Sequence, residues 1–144
     1  MAGIPNNQIS NILNATTPTG TAGIPGTFTA LSTTSAMKVR LNSGISSASA
    51  AGTEIANGGG YTTGGQAVTA ASTASSSGSA VTLPASTALT WTNSSGSQWS
   101  IQSFDLTDQA GTRAWFGNFT GAPVLVASGN SFSISTGGIS IGLG

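Results

Sequence analysis

Few residues in this chain are equipped for chemistry. Asp105 and Asp108 are its one close pair of carboxylates. Such a pair hydrolyses a glycosidic bond when one group holds its proton and both face a common cleft. Here Asp108-Gln109-Ala110-Gly111 reads as a hairpin turn, with Asp at its start and Gly at its end. Both carboxylates are therefore expected to flank that turn in solvent, as local hydrogen-bond acceptors; weak calcium binding is the alternative use. Serine is abundant, but the chain has no histidine, so a Ser–His–Asp triad is excluded. A Ser–Lys dyad would need Lys38, and Lys38 shares one face of a strand with Arg40. That face is expected to be solvated and to blunt a sheet edge, the alternative being a contact with a neighbour's acidic or carbonyl groups. Gly58-Gly59-Gly60 is followed by neither Lys-Ser nor Lys-Thr and opens no helix, so it is not a phosphate loop. Trp91, Trp99 and Trp115 with Tyr61 have the makings of a sugar-stacking platform, but aromatic rings at strand positions are expected in the core. No catalytic, cofactor-binding or metal-binding residue is assigned, and no enzymatic activity is expected.

Composition sharpens these exclusions. The chain has 144 residues, three basic (Lys38, Arg40, Arg113) and three acidic (Glu54, Asp105, Asp108), with net charge zero and no cysteine. Charged residues are 4% of the total, against about 25% in ordinary domains. Disulfide scaffolds, thiol nucleophiles and zinc–thiolate sites are ruled out. Electrostatic capture of nucleic acid or of an anionic membrane has no basic run to act through. Ser, Thr, Gly and Ala supply 85 of the 144 residues, and Leu, Ile, Val and Phe only 28. So thin a core, supplemented by aromatic area, points to one β-rich domain stabilised by oligomerisation. The amino-terminal residues lack a basic region and a long apolar run, so a soluble cytoplasmic product with no membrane insertion is expected.

The elements follow from spacing. Ile9, Ile12 and Leu13 lie at helical spacing behind Asn6 or Asn7 and predict a short helix. Residues 16–26 carry Pro and Gly punctuation and read as an extended arm. Residues 1–26 thus form a helix and arm, and residues 27–144 a β domain. Residues 27–33 are rich in β-branched types, and residues 36–41 alternate, with Met37, Val39 and Leu41 on one face. Residues 42–65 read as loop with a turn at Asn57-Gly58. Further strands are expected over 66–71, 79–83, 89–92, 99–106, 113–119, 123–127, 131–135 and 139–143. Within 99–106, Trp99 and Ile101 occupy one face and Phe104 and Leu106 the other. Either a bulge near Ser103 or burial on both faces accounts for this. Strands at this spacing suggest a sandwich or barrel. The expected core or interface comprises Met37, Val39, Leu41, Tyr61, Trp91, Trp99, Ile101, Phe104, Trp115, Phe116, Phe132, Ile139 and Ile141.

The order of these features resembles a family of small phage virion proteins, often labelled tail fibre proteins and common among phages of actinobacteria. Ile9 to Leu13 matches its opening helix and Gly58-Gly59-Gly60-Tyr61 its glycine–tyrosine motif. Leu83-Pro84-Ala85-Ser86 matches the proline segment, and Trp91 or Trp99 the tryptophan strand. Phe104 to Gly111 matches the aromatic–Asp hairpin. Ala127-Ser128-Gly129-Asn130-Ser131-Phe132 and Gly138-Ile139-Ser140-Ile141 match the ending. Thr62 and Thr63 depart from the basic residue common after the tyrosine, Asn130 replaces the usual Asp, and 92–98 is an unusual insert.

The resemblance implies an antiparallel, jelly-roll-like β-sandwich with a short amino-terminal helix and extended arm. It further implies a non-enzymatic role in the virion. One form of that role is capsid decoration: a homotrimer assembled on the particle exterior, its partners the major capsid protein or other virion proteins. Ile4, Pro5, Ile9, Ile12, Leu13, Ile24 and Pro25 are then the candidate docking residues of the arm. The alternative is a tail-fibre or tail-tip protein that contacts the host surface.

Overall fold

A computed structural model describes residues 2–3, 37–68, 81–83 and 87–141. The predicted helix, the arm residues Ile4 to Pro25 and the strand over 27–33 lie outside them. The described residues are all-β, and every strand pairing is antiparallel.

β1 (Ala2–Gly3), β2 (Met37–Asn42), β3 (Gln66–Val68), β7 (Ser103–Thr107) and β8 (Arg113–Asn118) make a five-stranded sheet in the order β1-β8-β7-β2-β3. Three two-stranded sheets complete the set. They pair β4 (Val81–Leu83) with β11 (Ile139–Ile141), β5 (Leu89–Thr92) with β10 (Ser131–Ile134), and β6 (Trp99–Ile101) with β9 (Val124–Val126).

Period-two alternation explains why these segments are strands and which way they face. β2 puts Val39 and Leu41 into the core, and β5 does the same with Leu89 and Trp91. Tyr61, Trp99, Ile101, Leu106, Val126, Ile134 and Ile139 join them, and Met37, Trp115, Phe119 and Phe132 pack against this set. Ring pairs connect the pieces: Tyr61 meets Trp99 edge-on at 6.3 Å, Trp91 lies 6.1 Å from Phe132, and Phe119 touches Phe104 and Phe132 at 5.4 and 5.3 Å. Offset and edge-on pairs of this kind add to simple area burial.

The segment 99–106 switches faces because it changes sheets. The ladder breaks at Gln102, whose N–H donates to Asn42 O at 2.9 Å and whose carbonyl accepts from Phe119 N at 3.0 Å. β6 then belongs with β9, and β7 lies between β2 and β8. All five residues of β7 are buried, so this strand is covered on both faces. A register irregularity falls between Leu106 and Thr107, nearer the turn than Ser103.

Two expectations need correction. β2 is an interior strand, flanked by β7 and β3, so Lys38 and Arg40 do not blunt an edge. Asp105 is not a solvated turn residue: it sits in mid-strand, 0% exposed. The hairpin itself forms as read. Gly111 N donates to Asp108 O at 3.1 Å, Asp108 N to Thr112 O at 2.9 Å, and the Asp108 carboxylate accepts from Thr112 N at 2.7 Å.

Candidate functional site

The second face of the five-stranded sheet is polar and enclosed. On β7, Ser103, Asp105 and Thr107 alternate with Phe104 and Leu106, so three polar side chains share the face opposite the apolar pair. Register then sets Asn42 across from Ser103, Arg40 across from Asp105 and Lys38 across from Thr107. From the other side β8 brings Asn118, Phe116 and Arg113 to the same three residues.

Asp105 is the hub of this face. Its carboxylate accepts from Arg40 Nη2 at 2.6 Å, Asn42 Nδ2 at 3.1 Å and Ser46 Oγ at 2.9 Å. The Arg113 guanidinium lies 3.8 Å away, making a second ion pair. Burial of a charge is tolerated only when it is paired and hydrogen-bonded, and here both conditions hold.

Residues 43–53 form the roof. Ser46 N donates to Asn118 Oδ1 and its carbonyl accepts from Asn118 Nδ2, at 3.1 and 3.0 Å. Gly52 N donates to Ser46 Oγ at 2.9 Å, and Ser103 Oγ donates to Gly44 O at 2.7 Å. Arg113 reaches over to the carbonyls of Ala50 and Ala48 at 2.8 and 3.3 Å, while its guanidinium lies 5.4 Å from the Phe116 ring centre. Three buried polar atoms near this network have no hydrogen-bond partner: Arg40 Nε, Asn42 Oδ1 and Thr107 Oγ1.

A second polar knot holds Tyr61. Its hydroxyl donates to Glu54 Oε1 at 2.8 Å and accepts from Leu41 N at 3.1 Å, and the same Glu54 oxygen accepts from Gly64 N at 2.6 Å. Burial, reinforced by the hydrogen bond to Glu54, pushes the Tyr61 phenol well above its ordinary range. Beside this knot, the turns around 55–59 and 94–97 enclose an open groove of about 530 Å³ floored by Trp99.

The structure therefore separates the two carboxylates considered first. Asp105 is bound from several sides inside the sheet, and Asp108 binds its own turn. Trp91, Trp99 and Tyr61 are 1%, 7% and 2% exposed, which leaves little ring surface for a sugar. No group of three or more metal-ligating side chains occurs among the described residues, and no helix among them is long and apolar enough to cross a membrane.

All six charged residues fall within the described residues; Asp105 is buried and the other five are partly buried. Sequence reasoning placed Asp105 outside because it weighed the nearby turn and not the alternation of Ser103, Asp105 and Thr107. No family model matches the chain, and no curated protein or solved structure matches it either.

Proposed function

We propose that this chain is a non-enzymatic structural component of a phage virion, a jelly-roll-like sandwich that decorates the capsid exterior as a homotrimer. One observation carries the reading most directly. The chain has only six charges and draws every one of them wholly or partly out of solvent. Among the described residues, what remains exposed is Ser, Thr, Gly, Ala, Asn and Gln, with Ile45, Pro123 and Leu125. On β5 and β10 this takes the form of exposed hydroxyl pairs, Thr90 with Ser133 at 2.9 Å and Thr92 with Ser131 at 2.8 Å.

A surface of this kind suits dense packing. Like-charged copies crowded on a lattice repel one another, and neutral copies do not. A net charge near zero favours association, and many weak contacts repeated by symmetry sum to firm attachment. The ordered motifs from the amino-terminal helix signal to Gly138-Ile139-Ser140-Ile141 add the resemblance to small virion proteins.

Copy number on purified particles of the encoding phage is the test. Decoration predicts hundreds of copies distributed over the shell, seen by quantitative gel and by antibody labelling. A handful of copies confined to the tail would replace this reading with a tail-fibre role. Deleting residues 1–26 is expected to leave a folded oligomer, judged by circular dichroism and sedimentation, that no longer binds particles. Native affinity in the truncated protein would remove the arm from the model.

A further inference from the structure

The groove beside Tyr61 is built by two segments far apart in sequence, the glycine run Gly58-Gly59-Gly60 and the serine-rich turn 94–97. Ser94 N donates to Gly59 O at 2.8 Å. Gly59 has a φ of +57°, and a Cβ there would stand 2.3 Å from Ser95 Cβ, so the approach of the two walls depends on glycine. Each wall is also braced from within. Gly58 and Tyr61 exchange backbone bonds at 2.8 and 3.1 Å. The buried Asn93 side chain donates to Ser97 O at 2.7 Å and accepts from Ser95 N at 3.0 Å. The groove is thus shaped before any ligand arrives. Its volume of about 530 Å³ falls within the roughly 300–1,000 Å³ of small-molecule sites.

The lining is neutral and mixes apolar with polar groups. Ile55 and Trp99 present apolar edges, each 7% exposed. Asn57 stands on one wall and Ser94 and Ser97 on the other, all three exposed. Asn57 Oδ1 accepts from Thr63 N at 3.2 Å, which leaves its amide hydrogens for another acceptor. Among the described residues, the bonds of Ser94 and Ser97 use only their backbone, so both hydroxyls are open to a ligand. No described residue that lines the groove is charged, and the neighbouring Glu54 carboxylate is held by Tyr61 and Gly64. A charged ligand would lose hydration here and gain no counter-charge. A neutral ligand that carries both hydroxyls and C–H faces suits the lining, and sugars have that composition. Trp99 offers an edge and not a face, so recognition falls to the amide and the hydroxyls, and one such contact is weak until symmetry repeats it.

We infer that this groove binds one unit of a neutral glycan, with Asn57, Ser94 and Ser97 as its hydrogen-bonding residues. The open side lets the rest of the glycan run out into solvent. The inference is independent of the virion reading.

Amide NMR titration of the full chain with maltotriose, mannotriose and triacetylchitotriose tests it, with N-acetylleucine amide as an apolar probe that is not a sugar. Saturable shifts confined to residues 55–59 and 94–99 are expected with at least one oligosaccharide. Asn57→Ala and Ser94→Ala, both at exposed positions, should each weaken the fitted affinity about fivefold, the worth of one neutral hydrogen bond. Ser97→Trp, which fills the groove, should abolish the shifts, and circular dichroism checks that each variant is folded. No saturable shift with any of the three sugars, or shifts that map to another surface, overturns the site. So does an unchanged affinity in all three folded variants. Saturation by N-acetylleucine amide without a response to sugar makes the groove a seat for an apolar side chain and overturns the glycan assignment.

Discussion

Asp105 shows what one residue contributes when its partners come from distant parts of the chain. Arg40, Asn42, Ser46 and Arg113 converge on a side chain with no solvent contact. Removing one partner of a buried pair leaves the others uncompensated and costs about 3–5 kcal/mol. Asp105→Asn is therefore expected to lower unfolding free energy by about 3 kcal/mol, measured by urea denaturation. Asp108→Asn, which touches only a turn amide, should change it by less than about 1 kcal/mol. Equal effects would show that Asp105 is not the hub. Tyr61 supports a pH prediction with a definite sign. Its phenol is raised in the fold by burial and by Glu54. The neutral form is thus the favoured one. Its contribution is complete below about pH 10, where an unfolded tyrosine titrates, and is lost as pH rises beyond that. Wild-type stability should fall above pH 10 more steeply than that of Tyr61→Phe, as followed by denaturation midpoints across pH 8–11.

Among the elements, the legible ones were those whose two faces differ. β5 was read to the residue, because Leu89 and Trp91 alternate with Thr90 and Thr92 and the structure buries and exposes them in that order. The hairpin at 108–111 was legible for a local reason as well, since its Asp and Gly make the bonds that close it. The segment 99–106 left two accounts open, and the structure bears out burial on both faces and not a bulge at Ser103, since the register irregularity falls between Leu106 and Thr107. β7 is buried on both faces, and the chain leaves one sheet for another at Gln102. Neither the β2 neighbour nor the roof over residues 43–53 leaves a local signal, because both depend on contacts about sixty residues apart. That roof has its own test at Gly52. A Cβ there would stand 2.5 Å from Gly44 O, 2.8 Å from Asn42 Cβ and 2.9 Å from Ser103 Oγ. Two of these neighbours belong to the sheet, and the third is backbone. Gly52→Ala is expected to cost about 1–3 kcal/mol through overpacking and to raise hydrogen exchange at Ser46 and Gly52. Unchanged exchange at those amides would mean that the loop is not held by close approach.

At the scale of the whole molecule, the placement of charge decides how the protein should respond to salt. Screening weakens interactions between exposed charges over about 10 Å at 0.1 M ionic strength and leaves neutral hydrogen bonds and apolar burial nearly untouched. Here Asp105 is fully buried, the Arg40 and Arg113 side chains are 19% and 12% exposed, and Glu54 is tied to Tyr61 and Gly64. If copies pack on a particle as proposed, the described surface offers them mainly hydroxyls, amides and small apolar groups, together with the exposed Ile45 and Leu125. Attachment to particles is expected to change less than threefold between 0.05 and 1 M sodium chloride, read by pelleting the particles with bound protein. Leu125→Asp is the complementary experiment. It sets a charge on an otherwise neutral face and should both weaken attachment and make what remains depend on salt. If wild-type attachment already collapses in high salt, the half-buried charges reach the interface, and the neutral-surface account of assembly fails.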